Sequence, residues 1–328
     1  VSGSRRSAIF WAFAAIYVLW GSTYLGIQVA LETIPPFTLG ASRFLIAGGL
    51  IYLWARGRGE PAPERSSWGL ATLLGTLFFV LGNGLVIWAQ QHVPSGRTAL
   101  LASTSPIWMV VIESGLDGWK RPPARVIAGI ALGMTGLTLL ARGGEGPGGA
   151  ISIGGVLALV GASVAWAIGA VISHRRHLPA SPAMATGMKM LAGGALLSVL
   201  SIGSGEAGRF EVGRASAESM VAVGYLVVFG SIIGFTAFTF LLRESTPQMV
   251  GTASYINPLV AVFLGWALAG EQVTGRMLLG AAVSLSGVVL IRWPRRTDPV
   301  PAEEVGTLET GDVEFGWSGE TRRDGPER

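Results

Sequence analysis

The chain has 328 residues, half of them hydrophobic and only 13% charged, against about 25% charged in soluble domains. With a mean hydropathy of +0.52, it does not read as an ordinary soluble enzyme. Its charge is uneven: residues 298–328 hold nine acids against three arginines, and the rest holds 21 basic against 11 acidic side chains.

There is no cysteine, which removes disulfides, thiolate metal sites and cysteine nucleophiles. His92, His174 and His177 fall at the ends of apolar runs, so no metal and no cofactor is expected. The basic residues sit between apolar runs rather than on a soluble face. They therefore point to anionic lipid and membrane topology, not to nucleic acid.

A helix needs about 20 mainly apolar residues to cross a bilayer, and the chain offers ten such spans. The first, 8–30, is too long for a cleaved signal peptide. On it Phe13, Tyr17, Trp20, Tyr24 and Gln28 recur at spacings of three and four, with Ser22 and Thr23 alongside. Tyr17 and Trp20 lie too deep for an interfacial belt, so this face is read as lining a polar cavity, with plain packing as the alternative. The second span, 36–55, contains Arg43. The third, 68–92, has Asn83 between two glycines, as either a helix–helix hydrogen bond or a substrate contact.

In the fourth span, 95–116, Ser103, Thr104 and Ser105 precede Pro106, and Glu113 lies a turn from the end. The fifth is 123–141, and 142–152 is a Gly-rich linker. The sixth, 153–174, carries Trp166 on a face with Ser163 and Ser173, and the seventh, 182–203, carries Lys189. After 219–242 comes the ninth span, 246–268, where Tyr255 and Asn257 precede Pro258. The tenth is 276–293, and 294–328 reads as a disordered acidic cytoplasmic tail.

Each proline removes a backbone donor and kinks its helix. Carbonyls freed beside hydroxyls and amides suit a binding site or hinge. Arg43 and Lys189 would each cost about 2.5–3.5 kcal/mol at the bilayer centre. Either they bind anionic groups, or they hydrogen-bond carbonyls in a structural or gating role, which is the favoured reading. Glu113 is either a proton relay or a solvated interfacial carboxylate. Glycines 129, 133 and 136, and 280 and 287, predict close contact by the fifth and tenth helices.

With the N-terminus placed in the cytoplasm, 14 basic residues fall on the cytoplasmic side and five opposite, as the positive-inside rule requires. Both termini are then cytoplasmic. Trp20 and Trp166 stand 146 apart, as do Arg43 and Lys189, and Pro106 and Pro258 stand 152 apart. The chain thus reads as an all-α membrane protein of two five-helix repeats, 8–141 and 153–293. Five being odd, the second copy is inverted, an arrangement of secondary transporters with a site between the repeats.

Trp20-Gly-Ser-Thr-Tyr24, Arg43-Phe44, Ala89-Gln-Gln-His-Val-Pro-Ser-Gly96, Asn257-Pro258 and Gly270-Glu271 together resemble EamA-type members of the drug/metabolite transporter superfamily. In the first half, Asp117-Gly-Trp119 stands in place of the Gly-Glu pair. The resemblance implies a bacterial inner-membrane carrier that exports amino acids or related small metabolites and amphiphiles. It also implies cavity or gating roles for Trp20, Tyr24, Arg43 and Pro258. The expected contacts are a small-molecule substrate and membrane lipid, with the protein a monomer or homodimer. No nucleotide-binding loop and no intramembrane Asp dyad occurs, so the competing classes, an intramembrane enzyme or a channel or scramblase, lack a motif.

Overall fold

Long apolar segments with no water to satisfy their backbone must bond internally, and a helix does so within one segment. The computed structural model describes residues 3–116, 124–141, 152–176, 178, 180–244 and 253–292, and among these there is no strand. The 294–328 tail, most of the linker, Lys120, Arg121 and the Tyr255 side chain lie outside the described residues.

The long elements are α1 (Gly3–Ala30), α2 (Pro36–Gly57), α3 (Ser67–Ala89), α4 (Ser95–Leu116) and α5 (Ala124–Ala141). They continue with α6 (Ile153–Arg175) and α7 (Pro182–Gly203). Next comes α8, built from Ala217–Tyr225, Leu226–Ile233 and Gly234–Glu244. Last are α9 (Ala253–Ala269) and α10 (Gly275–Arg292). Among the described residues seven helices, α1–α4 and α6–α8, are long and apolar enough to cross a membrane, and α5 and α9 contribute shorter apolar stretches.

Two local features differ from uninterrupted helices. Thr76–Gly84 in α3 and Leu226–Ile233 in α8 widen into π-helix, a form that concentrates at functional sites. α4 breaks instead of kinking: its first segment ends at Ala102 and the second starts at Ser105. The carbonyls at that break are not left free. The Ser103, Thr104 and Ser105 hydroxyls donate back to Leu100, Leu101 and Ala102 at 2.7–2.9 Å. The serine–threonine run before Pro106 therefore mends the backbone.

The most extensive helix pairs are α2 with α7 and α5 with α10. α1 lies against α9 and α8, and α6 lies against α4 and α3. The glycine faces of α5 and α10 meet each other backbone to backbone, a pairing that the spacing by itself does not name. A Cβ at Gly287 would fall 2.5 Å from the Gly129 carbonyl oxygen, and one at Gly136 would fall 2.5 Å from the Ser284 nitrogen. Backbone cannot yield as a side-chain end does. Gly287→Leu is expected to destabilise the protein by about 1–3 kcal/mol or more, read as a lower melting temperature in detergent. An unchanged melting temperature would contradict the packing.

Candidate functional site

An aromatic cluster fills the middle of the bundle. Trp20 lies two residues past Val18, about 200° around α1, and Val18 is 54% exposed on the outer surface. Trp166 lies nine residues past Leu157, about 180° around α6, and Leu157 is 66% exposed. Both indoles thus point inward, yet both remain only half-buried. The two rings meet edge to face at 6.3 Å between centroids.

Phe235 and Phe238 of α8 stand 5.3 and 5.1 Å from Trp20, and Phe78 of α3 stands 5.0 Å from Trp166. Phe79 links Phe235 to Phe44 at 5.4 and 4.7 Å. Edge-to-face and tilted pairs of this kind suit the ring quadrupoles. The two π segments hold the cluster in place. The Trp20 indole N–H donates to the Gly230 carbonyl at 3.2 Å, and the Asn83 amide donates to the Phe78 carbonyl at 2.8 Å. A Cβ at Gly234 would lie 2.4 Å from Trp20 Nε1, so glycine is what lets that indole seat.

Arg43 and Lys189 flank the cluster on repeat-related helices but differ in surroundings. Arg43 is buried, its Nε donates to Ser231 Oγ at 2.9 Å, and its guanidinium lies 4.9 Å from the Phe44 ring centre. Lys189 is half-buried, with Nζ 5.8 Å from the Phe78 ring centre.

Other sequence-predicted residues serve the backbone or lie apart. The Ser22 hydroxyl donates to the Leu19 carbonyl and meets the Tyr225 hydroxyl. The Tyr24 carbonyl accepts from Gln90 Nε2 at 2.8 Å. The Asn257 amide nitrogen faces the Ile16 and Tyr17 carbonyls at 3.2 Å each, joining α9 to α1 just before Pro258. A Cβ at Gly21 would strike Val260 at 2.6 Å, so the glycine after Trp20 permits that approach. Glu113 is exposed, away from the cluster, and Arg97, counted as a surface charge, is buried in the first turn of α4.

The sequence reading names Gly270-Glu271 without giving it a role and misses its counterpart Gly205-Glu206. Glu206 follows Gly205 and Glu271 follows Gly270, and each glycine has a left-handed backbone, φ +75° and +65°. That conformation ends α7 and α9 and turns the next residue back toward a neighbour. The Glu206 carboxylate accepts from the Phe37 and Thr38 amides at 2.9 and 3.1 Å, at the start of α2. Glu271 accepts from the Ser95 amide and hydroxyl at 2.7 and 2.6 Å and from the Gly96 amide at 3.0 Å, at the start of α4.

Neither helix caps itself with a side chain, because Pro35 and Pro94 hold the capping positions. The two carboxylates supply acceptors to orphan N–H groups and negative charge to positive helix ends. The recurring Gly-Glu dipeptide was the available signal. A cleft of about 380 Å³ at this end is lined by the Leu31–Pro36 turn, Gln91, Glu206 and Arg209, and includes none of the aromatic cluster.

The sequence profile of the EamA-like transporter family matches residues 6–142 and again 153–293. The chain belongs to this family. Among EamA relatives, the "uncharacterized inner membrane transporter YedA" of Escherichia coli (strain K12) is 37% identical over 284 residues, covering 86% of this chain and 90% of its own. A "probable terminal-alkyne amino-acid exporter" of Streptantibioticus cattleyicolor is 26% identical over 300 residues, covering 89% and 95%. A crystal structure at 23% identity superposes with a TM-score of 0.60 over 87% of this chain and 97% of its own, so the fold is shared. The matched family is one of transporters, and YedA is named as an inner membrane transporter.

Proposed function

We propose that this protein is an inner-membrane secondary transporter that exports amino acids or related small metabolites by alternating access. Its path runs through the space beside Trp20 and Trp166, between two inverted five-helix repeats. The observation that carries this is the edge-to-face meeting of those indoles at 6.3 Å, one from each half, both half-buried on inward faces.

The packing supports the repeat reading. Exchanging the first five helices for the second five leaves α2–α7 and α5–α10 as themselves. The same exchange converts α1–α9 into α6–α4, and α1–α8 into α6–α3. The π segments fall in the third helix of each half, and the family profile matches twice. In this reading ten helices span the membrane, both termini are cytoplasmic, and Glu206 and Glu271 close the periplasmic end. The exporter named for an amino-acid substrate supports that substrate class.

Purified protein reconstituted in liposomes tests the proposal. Preloaded amino acid should drive saturable counterflow of the same labelled amino acid. Flux that rises linearly with concentration, without counterflow, would mean a channel and overturn the carrier.

A further inference from the structure

The internal duplication makes Arg43 and Lys189 equivalent positions, and the structure breaks that equivalence. Arg43 reaches the π segment of α8 and meets Ser231 there. Lys189 reaches the π segment of α3, the equivalent element, and meets only the face of Phe78. Arg43 thus finds a hydroxyl on its π segment, whereas Lys189 finds an aromatic ring on the other.

The ion pairs found among the described residues, Arg5–Glu244 and Arg214–Glu211, involve neither intramembrane cation. The carboxylates of Glu206 and Glu271 are committed to helix starts. Lys189 lies about 80° and 140° around α7 from Val199 and Ile202, which are 64% and 68% exposed, and about 20° from Leu200, which is 41% exposed. It shares a half-buried stripe with Ala185, Ala192 and Leu196. Its ammonium touches Phe78, Phe78 touches Trp166, and Trp166 touches Trp20. Neither cation meets a carboxylate among the described residues: Arg43 has the Ser231 hydroxyl but keeps a buried Nη1 without a partner, and Lys189 lies beside Phe78 at the edge of the aromatic cluster.

We infer that Lys189 is the anchor for the substrate carboxylate, and that the aromatic cluster takes the apolar body attached to it, while Arg43 is structural. This rests on the transporter reading above and adds to it a substrate chemistry: a single carboxylate on a branched-apolar or aromatic side chain. An ammonium removed from water needs an anion for company, and an arriving carboxylate satisfies it in one step.

The experiment is counterflow of labelled proteinogenic L-amino acids in vesicles of phosphatidylcholine, with and without phosphatidylglycerol. L-leucine and L-phenylalanine are to be competed against leucinamide and phenylalaninamide. Apolar acids should compete and their amides should not, because the amides lack the carboxylate. Lys189→Gln should raise the half-saturating concentration roughly tenfold or more, as loss of a charge-assisted bond does. Lys189→Arg should restore much of that affinity, and both variants should elute from size exclusion as the wild type does.

Equal competition by acid and amide, or a Lys189→Gln variant with wild-type half-saturation, overturns the anchor and leaves the carrier standing. A Lys189→Gln effect confined to vesicles with phosphatidylglycerol also overturns it, by assigning the ammonium to a lipid headgroup. Absence of saturable uptake of every amino acid by the wild type overturns the transporter reading and the anchor together.

Discussion

Trp20→Ala is expected to abolish counterflow, lowering transport efficiency by about two orders of magnitude or more, while the protein still inserts and elutes as a monodisperse species. Trp20 contacts Trp166, Phe235 and Phe238 and donates to the Gly230 carbonyl. Truncation therefore removes the centre of the cluster and leaves a π-segment carbonyl without its side-chain donor. Each aromatic pair contributes about 0.5–1.5 kcal/mol beyond area burial, so losing three removes about 1.5–4.5 kcal/mol, a range that includes the roughly 2.7 kcal/mol of a hundredfold change.

Trp20→Phe separates the two effects. It keeps an apolar ring but loses the indole N–H, and an intermediate rate is the expected result. Gly234→Ala approaches the same question from the neighbouring helix, since its Cβ would sit 2.4 Å from Trp20 Nε1. Counterflow at wild-type rates in Trp20→Ala would show that substrate does not pass beside the indoles.

The second large effect is expected at the Gly-Glu turns. Glu271→Ala deprives the Ser95 and Gly96 amides of their acceptor. Hydrogen bonds to charged groups contribute about 1.5–3 kcal/mol each. Water replaces part of this, because Glu271 is only half-buried. A net change near 1.4 kcal/mol is still about tenfold in a two-state equilibrium.

The chain's lack of cysteine makes the measurement direct. A single cysteine at Val93, buried beside the start of α4, should react with an impermeant maleimide about tenfold faster when Glu271 is alanine. Glu206→Ala should act similarly at α2, where the carboxylate is more deeply buried and holds the Phe37 and Thr38 amides. Unchanged labelling in both variants would mean that these carboxylates fasten a permanently fixed end rather than a closure.

The alternation of apolar runs and charged turns, the sorting of cations and the glycine faces are one-dimensional properties. Each depends on side chains close together in the chain, so hydropathy, charge and spacing reveal them without coordinates. That is why the helical class, the close-packing faces of α5 and α10 and the family resemblance were legible. The offset of 146 between the tryptophans said they were equivalent, and the fold made them touch.

What the tertiary structure alone decided are the partners of polar groups. Asn83, Ser105 and Asn257 carry groups that a sequence reading assigns equally well to substrate. In the bundle the Asn83 and Ser105 groups satisfy carbonyls of their own helix, and Asn257 satisfies those of α1. Glu206 and Glu271 accept from amides 169 and 176 residues away in the chain, partners that no local pattern names. Arg43 and Lys189 are alike in sequence and differ in their surroundings, the first meeting the Ser231 hydroxyl and the second the Phe78 ring. An apolar residue needs only to be buried somewhere, whereas a hydrogen bond needs a specific partner at about 2.9 Å, and only the folded chain supplies that partner.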